Sequence, residues 1–195
     1  MWVNLTPAEE TALRELDGLS DRAAAIVGAT ILEARLEERL KHTLNDLVIK
    51  ERQTLHTRMF NNAGPLGTFS ARINIAYMCG IFEESVWRDL NLIRDLRNDF
   101  AHVTAVGSFK DQTVVDRCAN LKACELHFRQ AQAGDSLMQV EGVTGGQTFT
   151  FYILDLEKNL KDARQRYLLC IMYYAMLLKY PLVDKWRPHF DLPPS

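Results

Sequence analysis

The sequence predicts an all-α protein, a single-domain helical bundle with one small β-hairpin insertion near residues 134–153. Three observations predict it. Apolar residues recur at spacings near 3.6 along proline-free stretches, capping residues precede those stretches, and glycine or proline closes them. The 195 residues, 47% hydrophobic and 25% charged, suffice to enclose one core. That domain is expected over residues 1–187, followed by a proline-rich tail at 188–195.

Thr6-Pro7-Ala8-Glu9 supplies a capping hydroxyl, a proline at the first helical position and a glutamate three residues after the cap, so a short helix should run to about Leu16. Gly18 breaks it. Ser20-Asp21 then caps the longest helix, to about Ile49, with Ile26, Thr30, Leu36, Leu40, Leu44 and Leu47 predicted to face the core. Asn61 to Gly67 is dense in turn formers and predicts a structured loop. Thr68 or Ser70 caps a helix from Ala71 to Cys79 that ends at Gly80, and Ser85 caps the next, Val86 to His102, antiparallel to it.

Gly107 and Ser108 stop that helix, and Thr113 to about Phe128 reads as another. From Ala133 to Tyr152 the pattern changes: Ser136–Val140 and Thr148–Ile153 are expected as strands around a Gly145-Gly146 turn. Asp155 to about Lys179 should be the last helix, stopped by Pro181. Its segment Tyr167–Leu178 is apolar on every side, which implies burial in the bundle centre or in a homodimer interface.

The bulk properties narrow the function. A net charge of -2 gives no global attraction to a polyanion, so direct DNA binding is not expected. Cys79, Cys118, Cys124 and Cys170 are widely spaced in apolar surroundings and read as reduced core residues. The start of the chain has no signal-peptide pattern and the longest apolar run has twelve residues, so a cytoplasmic protein without a membrane span is expected. No cofactor or metal is expected. Gly64-Pro65-Leu66-Gly67 lacks the lysine of a phosphate loop, and Cys124 with His127 has no second ligand pair to complete a zinc site. His42, His56 and His189 read as solvated. Tyr77, Trp87, Tyr173, Tyr174 and Trp186 could stack on bases, but packing is the expected role of residues at core spacing on helices.

The segment Ser85-Val-Trp-Arg-Asp-Leu-Asn-Leu-Ile-Arg-Asp-Leu-Arg-Asn-Asp-Phe-Ala-His102 carries the most chemistry. Val86, Leu90, Ile93 and Phe100 share a core face, with Trp87 and Leu96 at its edges. Arg94, Asn98 and His102 form a second stripe and Arg97 flanks it. Arginine can hold a phosphate or carboxylate in a fork and imidazole can move a proton near neutrality, a layout that suits metal-independent RNA cleavage. There His102 would take the 2′-hydroxyl proton, Arg97 would stabilise the phosphorane charge and Asn98 would orient either group. The structural alternative pairs Arg94 and Arg97 with Asp95 or Asp99 and has His102 cap the helix end. Spacing alone favours the structural one.

The run Gly64-Pro-Leu-Gly-Thr-Phe-Ser-Ala-Arg-Ile-Asn-Ile-Ala-Tyr-Met-Cys-Gly80, followed by Asp89 to His102, resembles the core signature of the mannitol operon repressor family. The resemblance implies an all-helical transcriptional regulator that acts through protein contacts, with a protein partner from a regulatory or sugar-uptake system. Arg72, Arg94, Arg97, Asn98 and His102 are then the candidate binding residues; Arg72 would either add its charge to the arginine cluster or, the favoured role, form a salt bridge that supports the core. Residues 133–152 depart from the mostly helical pattern of that family. Arg97 to His102 also resembles the Arg-x4-His motif of the HEPN superfamily. That likeness implies the alternative function, an endoribonuclease using Arg97, Asn98 and His102 across a dimer, with RNA as its partner.

Overall fold

The computed structural model describes residues 11, 15–45, 52–102, 107–122, 125, 128–130, 151–153 and 155–179. Their helices and strands follow in the order α1 (Asp21–Asn45), α2 (Arg52–Phe60), α3 (Phe69–Met78), α4 (Glu84–His102), α5 (Gln112–Ala119), β1 (Phe128–Gln130), β2 (Phe151–Ile153), α6 (Leu156–Lys161) and α7 (Ala163–Lys179). Most of the first predicted helix, Leu47 to Ile49 and the 188–195 tail lie outside the described residues.

Helix α1 starts where Ser20 accepts the Ala23 N–H at 3.3 Å. It is the spine of the bundle, packed along α7, α4 and α3. Its buried face is Ala24, Ala25, Ala29, Leu32, Leu36 and Leu40. This corrects the expected stripe: Ile26 is only half-buried and Thr30 is exposed, its hydroxyl donating back to the Ile26 carbonyl at 2.9 Å. The reason is close helix approach, because a Cβ at Gly28 would stand 3.1 Å from the Ile171 side chain. Small residues let α7 come in where large ones would hold it off.

Helix α7 is the central partner, with Tyr167, Cys170, Ile171, Tyr173, Tyr174, Ala175, Met176 and Leu178 all buried. The Tyr167 hydroxyl donates to the Ala25 carbonyl at 2.7 Å, and its ring continues a row through Phe109 to Phe100 with centroids 5.2 and 5.0 Å apart. Such contacts combine large apolar burial with edge-aware ring packing.

The loop before α3 is as tight as its composition predicts. The Leu66 N–H reaches back to the Met59 carbonyl at 2.8 Å, and a Cβ at Gly64 would lie 2.2 Å from the Arg58 carbonyl oxygen. Thr68 caps α3 by accepting the Ala71 N–H at 3.2 Å, and the helix ends at Gly80, whose φ of 66° is left-handed.

Helix α2 lies where none was expected, α3 begins at Phe69 rather than Ala71, and three further boundaries differ from expectation. Helix α4 begins at Glu84 rather than after Ser85. Helix α5 stops at Ala119 instead of continuing to Phe128, because Asn120 bonds back to the Asp116 carbonyl at 2.8 Å and the Lys122 N–H is captured by Asp89. The last helix is two helices, since Asp162 turns extended (ψ 116°) and its carboxylate caps α7 by accepting the Gln165 N–H at 2.9 Å.

Strand Phe151–Ile153 falls inside the expected second strand, but its described partner is Phe128–Gln130 and the pairing is parallel. The antiparallel hairpin is corrected to that extent, because the ladder joins residues before the glycine-rich stretch to residues after it. Ser136–Val140 and the Gly145-Gly146 turn lie outside the described residues.

Candidate functional site

Helix α4 carries the site. Its inner face buries Val86, Leu90, Ile93, Leu96 and Phe100, so Leu96 is core rather than edge. Asp89 is buried among them at 1% exposure, a charged residue on an apolar face. Its carboxylate accepts the Lys122 N–H at 3.0 and 2.8 Å and the Tyr174 hydroxyl at 2.7 Å. Burial, then the Asp89 charge, pushes the Tyr174 hydroxyl above its ordinary pKa, so it stays a donor. Asp89 thereby pins the chain after α5 onto α4.

The outer edge holds the predicted stripe. Arg94 is fully engaged: Nη1 donates to Ser70 Oγ at 2.7 Å and Asn91 Oδ1 at 2.8 Å, and Nε and Nη2 fork onto Asp95 Oδ1 at 3.1 and 2.7 Å. Arg97 is half-buried, and its one bond to a described residue runs to Asn98 Oδ1 at 3.1 Å. Asp99 pairs with Arg117 of α5 rather than with Arg97. His102 is exposed at the helix end and makes no hydrogen bond to a described residue.

Another residue closes that end. Arg22 of α1 donates to the Phe100 carbonyl. The adjacent Asp21 accepts the Ser108 hydroxyl at 2.8 Å, the Phe109 N–H at 2.9 Å and Arg164 Nη1 at 2.5 Å. Burial alone would raise the Asp21 pKa, but the hydrogen bonds from Ser108, Phe109 and Arg164 outweigh it and hold the carboxyl below its ordinary value. Arg164 also binds the carbonyls of Leu16, Asp17 and Leu19 at 2.7 to 3.0 Å. The two residues that open α1 therefore grip the chain on either side of the segment after His102.

Arg72 does not join the stripe. It is buried, donating from Nε to the Leu66 carbonyl at 2.8 Å and pairing with Glu33 at 3.3 Å and Glu37 at 2.8 Å. Its planar fork ties α3 and the glycine loop to α1. Arg94, Arg97, Asn98 and His102 do share one helix edge, and among the described residues Arg97 bonds only Asn98 and His102 bonds none. Sequence reasoning missed Asp89, Asp21 and Arg164. A carboxylate at a core position between Val86 and Leu90 was a signal for the first; the other two act across the fold.

Among the described residues no group of three or more His, Cys, Asp or Glu side chains is placed to hold a metal, and no described helix is long and apolar enough to cross a membrane. Cys124 and His127 lie outside the described residues. Cys118 and Cys170 are buried, and Cys79 is half-buried with its thiol pKa raised by burial.

Fold and site together define an α-helical protein, a tightly braced bundle that presents a long polar helix edge. The family model described as MtlR, mannitol repressor, matches residues 32–144, more than half of the sequence. The chain belongs to the mannitol repressor family and is a repressor-type regulator. No curated protein matches it. Among solved structures, it is similar to a chain of the X-ray structure of the MtlR–HPr complex from Escherichia coli, at TM-score 0.61 and 16% identity, over 88% of this chain and 98% of that one. Neither match supports the HEPN reading.

Proposed function

We propose that this regulator acts in the cytoplasm through a protein partner of a sugar-uptake system, HPr or a protein like it, rather than by gripping DNA itself. The fold it shares with a chain solved together with HPr carries the reading, because that likeness extends over nearly the whole of the solved chain. The net charge of -2 agrees, since a DNA-gripping protein needs a concentration of cations to displace counterions. On the site itself, Arg94 is spent on Ser70, Asn91 and Asp95, whereas Arg97 and His102 retain the capacity to meet a partner's carboxylate or phosphoryl group. Calorimetric titration with purified HPr tests the partner, and transcript levels of sugar-alcohol uptake genes after deletion test the regulation. No heat of binding, with unchanged transcripts, would overturn the proposal.

A further inference from the structure

We propose that Arg164, at the start of α7, is a positioning residue for the candidate site: acting through Asp21, it sets the place of the α4 end that carries His102. This role goes beyond the partner reading and does not depend on which ligand the helix edge takes.

The His102 imidazole makes no hydrogen bond to a described residue, so the backbone on either side decides where it stands. That backbone is held twice from α1. Arg22 donates to the Phe100 carbonyl, and Asp21 accepts the Ser108 hydroxyl at 2.8 Å and the Phe109 N–H at 2.9 Å. The two gripping residues are consecutive and open α1, in the turn of a helix with the fewest hydrogen bonds of its own. Their grip is only as firm as that turn.

Arg164 supplies the firmness. Its Nη1 donates to Asp21 Oδ1 at 2.5 Å, and its Nη2 reaches the carbonyls of Leu16, Asp17 and Leu19, the chain that leads into α1, at 3.0, 2.8 and 2.7 Å. One planar guanidinium therefore holds the first turn of α1 and the residues before it together. Asp21 divides its oxygens, Oδ1 toward Arg164 and Oδ2 toward the turn after α4, so the carboxylate is the connector between them. The two side chains of the pair are only 18% and 25% exposed, which shields these bonds from water.

An aromatic route runs beside the polar one. Tyr167, three residues beyond Arg164 on α7, donates to the Ala25 carbonyl at 2.7 Å and packs on Phe109, which packs on Phe100. The start of α7 thus reaches the end of α4 through Asp21 and through the ring row, and both routes pass through Phe109. The tie on the other side of α4, Asp99 with Arg117, is more exposed and constrains that end less.

The test is nuclear magnetic resonance of the full chain, with the His102 imidazole signal assigned by its loss in His102→Ala. In Arg164→Ala that signal should shift, and the Phe109 amide should exchange roughly tenfold faster, the effect of losing one hydrogen bond to a charged group. The His56 signal, from beside the far end of α1, should stay in place. Arg164→Lys should restore part of both changes, because an ammonium meets Asp21 but not the three carbonyls as well. Asp21→Asn should shift the His102 signal in the same sense, and the double variant Asp21→Asn with Arg164→Ala should add nothing further. All signals are read in folded protein, so lower stability alone does not move them, and Asp21→Asn with Arg164→Lys carries the test if Arg164→Ala does not fold. An unmoved His102 signal, a double variant whose shift is the sum of the two, or a His56 signal that moves as far as that of His102 overturns the proposal.

Discussion

Arg72 and Arg97 belong to the same sequence signature and lie on neighbouring helices, yet the structure uses them oppositely. Arg72 is 6% exposed and has two carboxylates and two backbone carbonyls, of Leu66 and Phe60, around its guanidinium, with the Phe60 ring 6.0 Å away. Arg97 is half-buried and its guanidinium meets one neutral amide oxygen. A buried guanidinium must have its donors met within the fold. One at the rim can leave them to water until a partner replaces it. The first arginine is scaffold, and the second is available.

Breaking the scaffold side should give the largest effect. Arg72→Ala would leave the Leu66 carbonyl without its side-chain donor and Glu33 and Glu37 facing each other without their shared cation. Breaking such a pair typically costs about 3–5 kcal/mol, a fall in Tm of roughly 6–20 °C for a chain of this size. Calorimetric melting checks it, and Arg72→Lys should recover only part, because an ammonium cannot reach all four acceptors at once. A variant melting like wild type would show that Arg72 is no brace.

Gly64→Ala comes next. The added Cβ meets backbone oxygens of Arg58 and Met59 that cannot swing aside, so the loop must open. Overpacking of this kind typically costs about 1–3 kcal/mol, and urea melts should show a lower midpoint with an unchanged slope.

The Asp21 latch sharpens the comparison through pH. Its folded-state pKa is depressed, so its contribution is present above the unfolded value of an ordinary aspartate and is lost as pH falls through the lower folded value. Wild-type Tm should therefore drop on the acid side below about pH 4. Asp21→Asn should lower Tm at neutral pH and flatten that acid limb, as melts from pH 2 to 7 would show. An identical acid limb in both proteins would exclude Asp21 as its source.

What could be read from sequence follows the range of each interaction. The capping hydroxyls of Ser20 and Thr68 and the stop at Gly80 act within a few residues, and they are found where the pattern places them. Alanine carries no periodic signal strong enough to outvote Ile26 and Thr30, so the true face of α1 emerges only when α7 packs on it. The break at Asp162 has neither glycine nor proline, and only its capping bond to Gln165 reveals it. Arg72 and Glu33 are 39 residues apart and Asp21 and Arg164 are 143 apart, so no local spacing could pair them. The stripe Arg94 to His102 was legible because it lies on one helix. Which of its members the fold has already consumed was not.

The smallest effect on stability, and the sharpest on function, belongs to the available side. Arg97→Ala and His102→Ala should each change stability by less than about 0.5 kcal/mol, because neither removes an ion pair between described residues. If the stripe serves a protein partner, Arg97→Ala weakens HPr binding, and neither wild type nor His102→Ala cleaves labelled RNA in the absence of metal. If it serves RNA cleavage, wild type cleaves and both variants lose activity by orders of magnitude. The geometry bears on which result to expect: a general base works best when a second group holds its ring, and His102 has no such bond to a described residue. Among the described residues nothing orients the His102 imidazole, so the protein-partner result is the one expected. RNA cleavage that disappears in His102→Ala would reverse that expectation.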